Sequence, residues 1–119
     1  MKDTTTTTLT PCGDGFHLTF EDGFVLSIQY GRGSHCENQN ADARDGPVPA
    51  THTCEVAVMD SGGNFVVLPY NVAGYVPVGN IAQLIESVQC HDWERVLLLC
   101  GEVDEPDYSK FPEKSVDYA

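Results

Sequence analysis

A long polar segment holds most of the residues that could bind a ligand. It runs from Gly31 to Thr53, well beyond the roughly 12–15 residues at which an unstructured segment inside a domain is usually functional or disordered. It begins with Gly31-Arg32-Gly33-Ser34, directly after a predicted strand. Glycines let successive backbone N–H groups converge on an anion, and Arg32 adds a forked positive charge. The alternative is an ordinary strand-ending turn with a solvated arginine, since the pattern is neither a Walker motif nor a dinucleotide fingerprint.

This composition predicts a site for a small anionic ligand that carries a phosphate or a carboxylate. Tyr30 is available to stack on a base, and Arg44 adds a second positive charge in the same segment. The candidate ligand-binding residues are Tyr30, Arg32, Gly33, Ser34, Asn38 and Arg44.

Cysteine and histidine pairs flank the same segment. They are His35-Cys36 near its start and His52-Thr53-Cys54 at its end, and thiolate and imidazole are the ligands that zinc prefers. Against a zinc site, no Cys-x-x-Cys occurs, and neighbouring residues of a strand point to opposite faces. Two alternatives therefore stay open: zinc held by His35, Cys36, His52 and Cys54, or Cys36 acting as a nucleophile beside a histidine.

Two hairpins and a helix are predicted to position this segment. Apolar residues alternate with period two, which is typical of half-buried strands, and glycine-containing turns separate the strands. The predicted strands are Phe16–Phe20, Phe24–Tyr30, Cys54–Met59 and Asn64–Leu68. Apolar residues at i, i+3, i+4 and i+7 predict a helix over Gly79–Gln89.

The remaining elements are a connector over Pro69–Val78 and a last strand over Arg95–Cys100, a short and wholly apolar run. The predicted fold class is α+β: an antiparallel sheet of four to five strands, built from two hairpins plus the last strand, with one helix packed on one face. Residues 16–101 form the single domain, between a disordered polar N-terminus (1–15) and an acidic disordered tail (102–119). A homodimer is a way to cover the second face of the sheet.

The composition of the chain argues against some classes of partner and indicates a cellular compartment. The chain of 119 residues carries a net charge of −12, so direct nucleic-acid binding is not expected. No apolar run approaches the length of a membrane span, and no signal peptide is recognisable, so no membrane attachment is expected. Five cysteines without a secretion signal predict reduced thiols and a cytoplasmic location.

The segment Leu18–Asn38, LTFEDGFVLSIQYGRGSHCEN, resembles a small family of uncharacterised tailed-bacteriophage proteins. In that family an aromatic-rich hairpin runs into a Ser-Ile/Val-Gln-aromatic-Gly-x-Gly segment that is followed by Cys and Asn. The resemblance continues at Cys54-Glu-Val-Ala-Val, Asp60-x-Gly-Gly, Gly74-Tyr-Val and Ile81-x-x-Leu-Ile, and spans most of the predicted domain. It implies a phage origin, the host cytoplasm, and an accessory role that includes inhibition of host enzymes or of bacterial defence.

Three functions follow as hypotheses. The first is a non-enzymatic protein that sequesters a small anionic ligand such as a signalling nucleotide, with no cofactor. The second is an acidic inhibitor that binds a host protein. The third is a small zinc-dependent or cysteine-dependent enzyme, which the residues favour least because no catalytic signature accompanies the thiols.

Overall fold

Five antiparallel strands form one sheet in the computed structural model, in the order in which they follow along the chain. The structure describes residues 7–31, 33–37, 50–102 and 106–112. The strands are β1 (Thr8–Cys12), β2 (Gly15–Thr19), β3 (Val25–Gln29), β4 (Thr53–Met59) and β5 (Val72–Pro77). The chain is therefore α+β with an antiparallel sheet, as the sequence predicted.

One face of the sheet builds the hydrophobic core. Leu26 and Ile28 of β3 pair with Val58 and Val56 of β4, and all four side chains are fully buried. Two helices, α1 (Ile81–Gln89) and α2 (Trp93–Leu99), add their buried side chains to the same cluster. The prediction of one helix on the sheet is therefore replaced by two. Neither helix, nor any other in the described ranges, has the length and apolar character to cross a membrane.

The turn between the helices is tied to the sheet. His91 lies in the left-handed region, with φ +57°, and its Nε2 lies 2.6 Å from Oδ2 of Asp22 in the β2–β3 turn. The His91 ring stacks on Trp93 at 5.1 Å. At the other end, Asn80 Nδ2 donates to the carbonyl of Leu99, so both ends of the helix pair are fixed.

The predicted last strand was wrong. Residues 95–99 belong to helix α2, whose first turn is capped because the Asp92 side chain accepts a hydrogen bond from the backbone N–H of Arg95. Trp93, Val96 and Leu97 are buried, and so is Cys100. They recur at i, i+3, i+4 and i+7, the spacing of one helical face.

The second predicted hairpin was only half right. Strand β4 matches Cys54–Met59, but Asn64–Leu68 is not a strand: Phe65 makes an isolated bridge to Met59. Val67 then adopts φ +73°, a conformation that a β-branched residue rarely takes and that ends the pairing. The strand that pairs with β4 on the side opposite β3 is β5, which lies inside the predicted connector.

Each of the two terminal segments that were predicted to be disordered, 1–15 and 102–119, contains a regular element. Strand β1 pairs with β2 from Thr8 to Cys12, so the sheet begins before residue 16. Near the C-terminus, a 3-10 turn over Tyr108–Lys110 leads to Phe111, which packs against the core. The carbonyl of Lys110 accepts the backbone N–H of Val67 at 2.8 Å, and this bond holds the unusual backbone of Val67.

The substitution Phe111→Ala tests the role of this C-terminal segment. We expect the free energy of unfolding in urea to fall by about 1–3 kcal/mol, less than the roughly 3–5 kcal/mol of a fully buried phenylalanine, because Phe111 is half-buried. Tyr70→Ala is the control, since Tyr70 is 80% exposed and should change stability by no more than about 0.5 kcal/mol. Equal stability of Phe111→Ala and the wild type would mean that the segment does not contribute to the core.

Candidate functional site

His35 is docked on the sheet by its backbone and by its ring. Its backbone N–H donates to Oε2 of Glu55 at 3.1 Å, and its ring Nδ1 lies 2.9 Å from the same oxygen. Its carbonyl accepts the backbone N–H of Tyr75 at 2.8 Å. The Glu55 side chain is only 17% exposed, and hydrogen bonds to a carboxylate are stronger than neutral ones, so these contacts fix the start of the polar segment.

A bulge in β5 makes room for this docking. The register of β4 and β5 shifts between Cys54 and Val56, so Gly74 and Tyr75 together lie opposite Glu55. Tyr75 adopts φ +54°. A Cβ added at Gly74 would lie 2.7 Å from the His35 Cβ and 3.1 Å from its carbonyl oxygen. Only glycine therefore allows this close approach of the two backbones.

A second set of contacts joins the two ends of the polar segment. The backbone N–H of His52 donates to Oε1 of Glu37 at 2.7 Å, and the His52 Nδ1 lies 3.0 Å from that oxygen. The backbone N–H of Glu37 in turn donates to Thr53 Oγ1. The His52 N–H holds the pKa of the Glu37 carboxyl below its usual value, so Glu37 is an anion at neutral pH.

One of the backbone donors predicted to bind an anion, the N–H of Ser34, is used inside the protein. The N–H of Ser34 donates to the Gly31 carbonyl and that of Cys36 to the Ser34 carbonyl. The N–H groups of His35 and Glu37 donate to Glu55 and Thr53. The residues that follow the glycine-rich turn therefore use their backbone donors within the protein, and the carboxylate that His35 binds is Glu55.

Three of the six predicted ligand-binding residues are described by the structure, and three are not. Tyr30 is half-buried at the end of β3, Gly33 is exposed with φ +84°, and Ser34 is buried. Arg32, Asn38 and Arg44 lie outside the described residues.

The four predicted zinc ligands do not form a ligand set. The His35 ring contacts Glu55 and the His52 ring contacts Glu37, whereas Cys36 and Cys54 are fully buried. Burial raises the pKa of Cys54 to about 11, so its thiol stays protonated at neutral pH. No group of three or more His, Cys, Asp and Glu residues is placed to hold a metal ion in the part of the chain that the structure describes.

The second face of the sheet carries a hollow of about 200 Å³. Its lining consists of His17, Ser27, Glu55, Val56, Ala57, Met59, Phe65 and Val72. Phe65 stands at its rim, 44% exposed, and Ser27 and Ala57 form its buried floor. Glu55 therefore belongs to the hollow and to the docking of His35 at once.

The hollow was not predicted from the sequence, although part of its signal is present there. His17 and Ser27 occupy the polar positions of the two predicted strands of the first hairpin, and the structure pairs them directly. Period-two alternation alone places both on the face opposite the core. The contributions of Phe65 and Val72 were hidden because their segments were assigned to the wrong elements.

No protein-family model, curated protein or solved structure matches the chain. The resemblance to phage proteins therefore stays a prediction, and the function has to be argued from the residues of the hollow and of the docked segment.

The substitution Gly74→Ala tests the docking of His35. The added methyl group collides with His35, so we expect the free energy of unfolding to fall by about 1–3 kcal/mol and the His35 amide resonance to shift in an NMR spectrum. Gly79→Ala is the matched control, because a Cβ at Gly79 meets no atom within 4 Å. If both variants kept the wild-type stability and the wild-type His35 resonance, His35 would not lie against the bulge.

Proposed function

We propose that the protein is a non-enzymatic binding protein that takes the flat, polar ring of a small ligand into the hollow, with the base of a signalling nucleotide as the candidate. The observation that carries this proposal is the composition of the hollow, which combines an exposed aromatic rim with polar groups on its walls. Ligand sites are typically apolar concavities with a few placed polar groups.

The size of the hollow limits what enters it. Pockets for whole drug-sized ligands measure about 300–1,000 Å³, and this hollow measures about 200 Å³. A single ring system therefore fits inside, with the rest of the ligand outside. Phe65 at the rim offers a stacking surface, and stacking of a base on an aromatic side chain contributes about 1–3 kcal/mol.

The polar groups favour a ring that donates hydrogen bonds. Both described contacts of the Glu55 carboxylate use Oε2, which leaves Oε1 able to accept from a ligand. A carboxylate only accepts hydrogen bonds, so a base whose exocyclic amino group offers two N–H donors suits the hollow better than uracil, which offers only a ring N–H. Arg32 and Arg44, the cations predicted for an anionic part of the ligand, lie outside the described residues.

Binding is proposed in preference to catalysis. Cys36, the predicted nucleophile, is fully buried, whereas reactive cysteines are partly exposed. The resemblance to phage accessory proteins supports a role in sequestering a signal molecule of the host. A homodimer that covers the second face of the sheet stays a prediction.

Calorimetric titration with the 5′-monophosphates of adenosine, guanosine, cytidine and uridine tests the proposal. We expect an amino-bearing nucleotide to bind more tightly than uridine monophosphate, and Phe65→Ala to weaken that binding about fivefold or more, by loss of stacking. Leu98→Ala is the control, because Leu98 is exposed on helix α2 and does not line the hollow. The proposal fails if none of the four nucleotides binds at millimolar concentration, or if both variants bind as the wild type does.

A further inference from the structure

A second concavity lies at helix α2 and has a different character. Its volume is about 350 Å³, and its lining residues are Glu94, Arg95, Leu97, Leu98, Glu102 and Pro106. We call it the α2 groove. None of its lining residues belongs to the hollow on the sheet, so the groove is independent of the function proposed above.

The groove exposes apolar surface that is not packed in the hydrophobic core. Helix α2 packs on the core through Trp93, Val96 and Leu97, whereas Leu98 is 63% exposed. A single exposed leucine is ordinary. Here, however, it lies in a groove with Leu97 and Pro106, which makes a concave apolar site at the lower end of the size range for binding pockets.

The charges around the groove are acidic. Glu94 is exposed, and Glu102 is held against the end of α2 because its backbone N–H donates to the Leu97 carbonyl at 2.8 Å. Among the described lining residues the cation is Arg95, which helix α1 engages: its Nη1 lies 3.3 Å from Glu86 Oε1 and its Nη2 donates to Gln83 Oε1 at 2.9 Å. The described lining of the groove therefore combines apolar side chains with the carboxylates of Glu94 and Glu102.

We propose that the α2 groove docks a basic, amphipathic helix of a partner protein. Aliphatic side chains one helical turn apart would enter the groove beside Leu98, and lysine or arginine side chains would pair with Glu94 and Glu102. Helix-in-groove recognition uses this arrangement of apolar anchors and flanking charges. The acidic rim and the net charge of −12 exclude nucleic acid and anionic membrane surfaces as the occupant.

The probe for this docking is a 14-residue helical peptide of leucine and lysine, about two heptads long with leucines at i, i+3, i+4 and i+7. Its counterpart has glutamate in place of every lysine. Fluorescence anisotropy with the full chain should show binding of the lysine peptide that weakens as salt rises. The glutamate peptide should bind at least about tenfold more weakly, a difference of about 1.4 kcal/mol.

Matched variants locate the binding. Leu98→Ser should weaken the lysine peptide about tenfold or more, whereas Leu9→Ser should not, although Leu9 is equally exposed at 66% on strand β1. The pair Glu94→Gln and Glu102→Gln should remove most of the salt dependence, and Glu21→Gln in the β2–β3 turn should leave it unchanged. Unfolding midpoints of all variants confirm that they are folded.

Three results would overturn the docking proposal. The first is an absence of binding of the lysine peptide to the wild type. The second is equal binding of both peptides. The third is that Leu98→Ser and Leu9→Ser weaken binding of the lysine peptide equally, or that no variant weakens it. The peptide would then be attracted by overall charge rather than held in the groove.

Discussion

The position of His35 against strands β4 and β5 decides how the polar segment meets the sheet. One carboxylate, Glu55, accepts both the backbone N–H and the ring contact of His35, and Tyr75 donates to its carbonyl. Hydrogen bonds to a charged group typically contribute about 1.5–3 kcal/mol each. The bulge at Gly74 exists where this approach requires it, since a side chain there would occupy the space of His35.

This docking links the segment to the second face of the sheet. Glu55 alternates with the core residues Cys54 and Val56, so its side chain points away from the core and lines the hollow. The contact of Glu37 with His52 closes the base of the same segment. The residues just after the glycine-rich turn thus use their backbone donors on the protein itself, and the hollow lies beside them, on the sheet.

Local periodicity was enough to predict β2, β3, β4 and α1, because each buries one regular face. It failed where tertiary contacts decide: the bulge breaks the alternation of β5, and the Lys110 carbonyl holds Val67 out of a strand. The apolar run in α2 was ambiguous by itself, and the structure makes it a helix through the Asp92 cap and the burial of Trp93, Val96 and Leu97 on one face. In the candidate site, the polar segment was predictable from the sequence. That Glu55 accepts the hydrogen bonds of His35 was not, since no local pattern reports a partner 20 residues away.

Amide hydrogen exchange at His35 tests the docking most directly. The account predicts that the His35 and Tyr75 amides are protected in the wild type, because both are hydrogen-bonded donors, and that Glu55→Ala removes the protection of His35. The Val66 amide, which donates to the Val58 carbonyl, should stay protected in both proteins. A His35 amide that exchanged as fast as an exposed one in the wild type, or that kept its protection in Glu55→Ala, would contradict the account.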